Sequence, residues 1–155
     1  MTVDEQPILI CYDGSEDARR AVAAAGDLLA HRETVVLDVT PPLTAEEEEA
    51  ALLTPVIPDN VETRVRDLRK MARRGTLQAR AKGLEAVDRV VVAAPTWQGV
   101  VDVADEIDAG VIVVGSRGLS GARELFEGSL SHDLMRRAGR PLLIVPPVHR
   151  TVEPD

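Results

Sequence analysis

Val111-Ile-Val-Val-Gly-Ser-Arg-Gly118, followed after nine residues by Gly128-Ser129, is the stretch whose reading decides the fold. Val111–Val114 is a short, β-branched, uninterrupted apolar run, the pattern of a strand buried on both faces. It empties into Gly115 and Gly118, and a helix is expected to start at Gly128-Ser129. Glycines at a strand-to-helix turn permit left-handed backbone angles and close approach of a ligand. A helix start adds unpaired N–H groups and the positive end of the helix dipole. Together these describe an anion site, most often one for phosphate. The plainer reading, three glycines that merely permit tight turns, covers less of the pattern. No Gly-Lys-Ser/Thr follows, so the stretch is not a Walker A loop, and no Gly-x-Gly-x-x-Gly follows the first strand.

The surrounding sequence is compatible with one domain of layered α/β packing. The chain has 155 residues, 45% of them hydrophobic but only 2% aromatic, so its core must be built from Val, Leu, Ile and Ala. A net charge of −8 argues against a general affinity for nucleic acid, whose backbone demands a basic face. It leaves room for a nucleotide, because a phosphate responds to the local field. Cys11 is the single cysteine, so no internal disulfide forms. No apolar run reaches the ~18 residues of a membrane span. Met1-Thr-Val-Asp-Glu-Gln-Pro7 is acidic and polar, unlike a signal peptide, and a cytoplasmic location is expected.

Read outward from the glycines, the chain alternates strands and helices. Pro7–Tyr12 is expected to be the first strand and Asp13-Gly14-Ser15 a turn, with Ser15 or Asp13 capping the helix that carries Ala18, Ala21, Val22, Ala25 and Leu29 on one face. Val35–Val39 is the second strand. Residues 41–60, with four prolines and the acidic run Glu46–Glu49, read as a long connection in which 44–53 can hold a short helix. A helical stripe runs from Val61 through Val65, Leu68, Ala72, Gly75 and Ala79. Arg89–Ala94 is the third strand, Trp97 to Ile107 a helix, Val111–Val114 the fourth strand, 129–138 the last helix and Pro141–Val145 the last strand. Residues 1–6 and 147–155 read as tails around one domain over 7–146. Such alternation implies right-handed crossovers and a three-layer α/β/α fold around a five-stranded parallel sheet. Sheets of this kind bind ligands at the carboxyl ends of their strands. Asp13 and Gly115 both fall on that rim, and Asp13 offers an acid for ribose hydroxyls or for a metal.

The chain resembles a single-domain universal stress protein along nearly its whole length. The resemblance is carried by Ile8-Leu-Ile-Cys-Tyr-Asp-Gly-Ser15, the strand ending at Val39, the Gly115-x2-Gly118-x9-Gly128-Ser129 spacing, and Gly128-Ser-Leu-Ser131 leading to Arg140-Pro-Leu-Leu-Ile-Val145. It implies the adenine nucleotide alpha hydrolase-like fold and, since every position of the glycine pattern is kept, the branch of the family that binds ATP. By matching position, Asp13 is implied to contact ribose, with Cys11, Tyr12 and Val39 around the adenine. Val114, Gly115 and Gly118 are implied beneath ribose and phosphates, with Gly128, Ser129, Leu130 and Ser131 at the phosphates. Tyr12, bulkier than many residues at its place, either crowds the base or stacks on it. Arg117 either grips a phosphate bidentately or points into solvent.

The expected function is that of an ATP-binding regulatory protein of the stress response, with AMP, ADP or cyclic AMP as other ligands and an unidentified protein partner reading the bound state. Mg²⁺ accompanies a triphosphate in this reading, with Asp13 its nearest candidate ligand. No phosphate-gripping lysine, kinase loop or placed general base is evident, so at most slow ATP hydrolysis is expected, with no catalytic residue to name. The alternatives are an adenine-nucleotide-using enzyme, a slow ATPase or nucleotidyl- or phosphotransferase, and a dimeric interaction module that binds no nucleotide. His31, His132 and His149 are too scattered for a metal site. Pro141–Val145 reads as an uncovered edge strand, and the resemblance implies a homodimer through it.

Overall fold

Ile8–Cys11 (β1) is buried along its whole length, and it lies at the centre of a five-stranded parallel sheet. The computed structural model describes residues 2, 5–29, 31–53, 59–116 and 130–147, and among the helices it leaves the side chains of 51 and 59–65 undescribed. The further elements in chain order are α1 (Glu16–Leu29), β2 (Glu33–Thr40), α2 (Ala45–Leu53), α3 (Asp59–Ala81), β3 (Glu85–Val92), α4 (Thr96–Glu106), β4 (Val111–Gly115), α5 (Leu130–Arg137) and β5 (Leu142–Val145). The strand order is β3-β2-β1-β4-β5, with every neighbouring pair parallel. The chain therefore winds outward from β1 to β3 on one side, returns across the sheet, and winds outward again through β4 and β5. The reversal falls between β1 and β4.

Right-handed crossovers place helices on opposite faces for opposite directions of winding. The core divides accordingly. Ile8, Ile10, Tyr12, Val36 and Val113 pack with α1 and the α3 residue Ala79 on one face. Leu9, Cys11, Leu37, Ile112 and Val114 pack with Val100, Val103 and Ala104 of α4 and Leu130 and Leu134 of α5 on the other. Strand side chains alternate between faces, so the central strands β1 and β4 must be apolar on both, which is why they read as continuous Val/Ile/Leu runs.

Local rules set several element ends. Ser15 caps α1: its Oγ accepts from the Ala18 amide at 3.1 Å, while Asp13 Oδ1 accepts from the Ser15 amide at 2.9 Å. Capping therefore falls to Ser15, and Asp13 braces the turn before it. Inside the 41–60 segment, expected as a connection, Ala45–Leu53 is a helix and α3 already starts at Asp59. The reason for α2 is a reciprocal capping box: the Glu47 amide donates to Thr44 Oγ1 at 3.2 Å, and the Thr44 amide donates to Glu47 Oε2 at 2.8 Å. β2 and β3 both extend further than their apolar runs, because all eight residues of each are in register, from Glu33 beside Glu85 to Thr40 beside Val92. β3 accordingly begins before Arg89 and stops two residues short of Ala94. β5 begins at Leu142; Pro141 has no N–H for the ladder and contributes its carbonyl, which accepts from the Ile112 amide at 3.0 Å. His31 stands beyond α1 in the left-handed region, φ 67°, with its amide on Gly83 O, so it takes no place in the last turn of the helix.

Two close approaches define the layers. Tyr12 lies flat against α3 at Gly75, where an added Cβ would come within 2.8 Å of the ring. Arg140 Nη1 donates to the carbonyls of Ala104 (2.7 Å) and Ala109 (3.0 Å), tying the entry to β5 to the end of α4. Its guanidinium also pairs with Asp105. Gly75→Ala is expected to lower stability by roughly 1–3 kcal/mol through overpacking on Tyr12. Urea denaturation checks this, and Tyr12→Leu in the same chain should recover part of the loss.

Candidate functional site

The reversal of winding falls between β1 and β4, and the carboxyl ends at such a reversal are the general binding position in open α/β sheets. Asp13 leaves β1 at that edge and Gly115-Ser116 leaves β4. The start of α5 is held there too: Ser131 Oγ donates to the Ser116 carbonyl at 3.4 Å, and the Ser116 amide donates to Val145 O at 3.0 Å. Two helices, α1 and α5, thus begin beside the ends of the two central strands, and each turns the positive end of its dipole toward the edge.

Side-chain alternation sorts the residues expected to form the site. Cys11, Val39, Val114 and Leu130 converge in the single apolar cluster on the α4/α5 side. They come from three strands and a helix far apart in sequence, and they form a continuous apolar floor beneath the carboxyl edge. α4 sits close upon it because Gly99 has no side chain: an added Cβ would meet Ala93 at 2.7 Å and Val39 Cγ1 at 3.1 Å. Tyr12 and Gly115 face the other way. The Tyr12 ring is buried against α3, so at the rim the residue has its main chain to present, and the ring is committed to the core. At Gly115, an added Cβ would stand 3.0 Å from the Asp17 carbonyl of α1. That glycine lets α1 sit closely against β4, independently of any ligand. Asp13 is half-buried and Ser131 buried. Arg117, Gly118, Gly128 and Ser129 lie outside the described residues.

Burial determines what the polar groups here can do. The Cys11 thiol is pushed up to about 12, chiefly by burial and secondarily by the Asp13 charge, so it stays protonated and acts as a small apolar surface. Burial likewise raises the Tyr12 hydroxyl. Among the described residues no group of three or more His, Cys, Asp and Glu is placed to hold a metal ion. His132 is exposed on α5. Asp38 is the one acid inside the apolar Val35–Val39 run, and the sequence assigns it no role. It sits on β2 beside Val39, only 5% exposed, and its carboxyl is raised to about 6 by burial and by the charge of Asp13, against a hydrogen bond from the Val39 backbone. The signal was there in outline, as one acid inside an apolar strand. Its burial could be learned only from what covers it.

A concavity of about 630 Å³ lies at the opposite edge, among Pro7, Glu33, Thr34, Arg80, Glu85 and Ile107. Here the strands begin, and Arg80 already donates to the Ala86 carbonyl at 2.9 Å. It gathers none of the residues expected to bind a ligand, whereas the carboxyl edge gathers eight of the described ones.

The fold is of the doubly wound, nucleotide-binding α/β kind. The sequence model of the Universal stress protein family matches residues 5–146, and the chain belongs to that family. Among solved structures, a universal stress protein in complex with cAMP is 26% identical, with a TM-score of 0.65, covering 94% of this chain and 98% of its own. A universal stress protein from Archaeoglobus fulgidus in complex with dAMP is 22% identical, with a TM-score of 0.60 and coverages of 90% and 97%. A universal stress protein family protein from Arabidopsis thaliana with AMP bound is 12% identical, with a TM-score of 0.62 and 97% of each chain covered. A search of curated proteins gave no match. Among the described residues no helix is long and apolar enough to cross a membrane.

Asp38 sets a pH dependence of stability. A carboxyl held above its ordinary 3.8 in the folded state leaves stability intact below that value and withdraws it as pH rises through about 6. Asp38→Asn, which keeps an acceptor for the Val39 amide, is expected to raise stability at pH 7.5 by roughly 1–3 kcal/mol, with the gain vanishing below about pH 4. Urea midpoints at the two pH values check this, and a gain of equal size at both would contradict it.

Proposed function

We propose that this chain is an adenine-nucleotide-binding regulatory protein of the stress response, holding ATP at the carboxyl edge between β1 and β4. The observation that carries this reading is the convergence of Cys11, Val39, Val114 and Leu130 on one side of the sheet, below Asp13 and beside the start of α5. An apolar floor, one carboxylate and the positive end of a helix match the three parts of a nucleotide: base, sugar and phosphate. The cAMP complex of the 26%-identical relative supports the same class of ligand. In this reading Val39 and Tyr12 meet the adenine through the main chain, and Asp13 accepts from the ribose hydroxyls. Gly115, Gly118 and Gly128 give the backbone its close approach. Ser129, Ser131 and Arg117 add donors for the phosphates.

The donor set fits a nucleotide better than a bare metal ion. Asp13 is one carboxylate, with one oxygen already engaged by the Ser15 amide. Mg²⁺ characteristically takes one or two carboxylates together with phosphate oxygens and water. It would therefore enter with the triphosphate, completing its shell from phosphate and water and neutralising phosphate charge. The role is regulatory: nucleotide favours one state of the protein, in the cytoplasm, and a partner protein reads it, with hydrolysis slow at most.

Calorimetric titration with ATP, ADP, AMP and cyclic AMP tests the reading. Asp13→Asn retains the acceptor that braces Ser15 and removes the charge facing the sugar. It is expected to weaken ATP binding about ten- to a hundredfold, the effect of losing a charge-assisted hydrogen bond of about 1.5–3 kcal/mol. If the unaltered protein binds none of the four at millimolar concentration, or if Asp13→Asn binds as well as the parent, the site is elsewhere.

The same proposal extends to assembly. Among the described residues β5 is an edge strand, with Ile144 39% exposed and one side of its backbone without a neighbouring strand. Pairing of two Pro141–Val145 segments across a two-fold axis satisfies those groups and yields a homodimer. Sedimentation at micromolar concentration should give twice the mass of one chain, 16.7 kDa; Ile144→Lys should give one.

A further inference from the structure

Gly14 lies in the turn between Asp13 and Ser15 with φ 81°, and the thioether of Met71 on α3 is packed directly upon it. The space a Cβ would take at Gly14 is filled by the Met71 sulfur, with its Cε 3.0 Å from that position. Met71 is only half-buried, on the margin of the α1/α3 core cluster, so solvent and small solutes reach it. The turn it covers is otherwise held by the Ser15 amide on Asp13 Oδ1 and by the Ser15 cap of α1. The other described methionine, Met135, is 64% exposed on α5.

We propose that Met71 is an oxidation site whose sulfoxide displaces the Asp13-Gly14-Ser15 turn and thereby lowers the affinity of the adjoining site for nucleotide in peroxide-exposed protein. The oxidant is a peroxide. A sulfur lone pair attacks one peroxide oxygen, the O–O bond breaks, and a sulfur–oxygen bond forms. The departing oxygen leaves as water after taking up the remaining proton. Sulfur loses two electrons and the peroxide gains them. The product is polar and bulkier, where the reduced sulfur was apolar and in contact with bare backbone. The added oxygen enlarges and polarises a sulfur that already fills the space beside the Gly14 backbone. The carboxylate that the turn aims is Asp13, so the consequence for nucleotide rests on the function proposed above, while the displacement of the turn does not.

The experiment treats the full chain with graded hydrogen peroxide and follows oxygen uptake at Met71 and Met135 by peptide mass spectrometry. Two readouts are taken: hydrogen exchange of the Ser15 amide and calorimetric affinity for ATP. Oxidation at Met71 is expected to speed Ser15 exchange and to weaken ATP binding, each by about tenfold. Methionine sulfoxide reductase should reverse both. Met71→Leu, a volume-conserving change that cores tolerate, should hold both values through peroxide treatment, and Met135→Leu should not protect. Full oxidation of Met71 with unchanged Ser15 exchange overturns the proposal, as does peroxide that converts Met135 and leaves Met71 intact. If the untreated protein binds no adenine nucleotide, it is the proposed function that fails, and Ser15 exchange alone still decides the role of Met71.

Discussion

Parallel pairing of β1 with β4 is the constraint on which the rest of the molecule depends. Ile8, Leu9 and Ile10 are in register with Val111, Ile112 and Val113, although the partners lie about a hundred residues apart. The pairing brings Asp13 beside Gly115-Ser116 and gives the chain its reversal of winding. Because β1 is flanked by strands on both edges and by helices on both faces, its four residues have no solvent-facing side. Every polar function must therefore be displaced past its carboxyl end. Asp13, Ser15 and the helix amides lie there because the strand itself admits nothing polar.

Helix seating follows from the same requirement. Layers approach where side chains are missing: α1 comes down on β4 at Gly115, α3 on Tyr12 at Gly75, and α4 on Val39 and Ala93 at Gly99. Gly115 thus serves packing whatever else it does, and its presence in a glycine pattern is not in itself a sign of phosphate. Asp38 shows the cost of a polar group placed inside the sheet. Its raised carboxyl records burial close to a second acid, with a Val39 backbone hydrogen bond as partial compensation.

The fold was legible because both of its periodicities are plain. Continuous Val/Ile/Leu runs mark strands covered on two faces, and the spaced Ala/Val/Leu stripes of α1 and α4 mark helices covered on one. What was misread has identifiable causes. The Thr44–Glu47 capping box stands among prolines and acids, so the local pattern offers α2 only as an option within a connection. β2 and β3 reach beyond their apolar cores because pairing with one another, rather than local preference, sets their length. Arg140 stood in the sequence only as part of a motif, while in the fold it binds the carbonyls of Ala104 and Ala109, partners about thirty residues away.

From the amino-acid order alone came the class of the fold, the order of its elements and the two segments that meet at one rim. These are local properties, written in hydrophobic period, turn residues and caps. The tertiary structure decided which face each residue takes: Cys11, Val39, Val114 and Leu130 toward one cluster, Tyr12 and Gly115 toward the other, Asp38 into the interior and Met71 onto Gly14. Those assignments depend on strand register and helix seating between segments distant in sequence. A change of register by one residue would exchange the two faces, and no local pattern encodes which register wins.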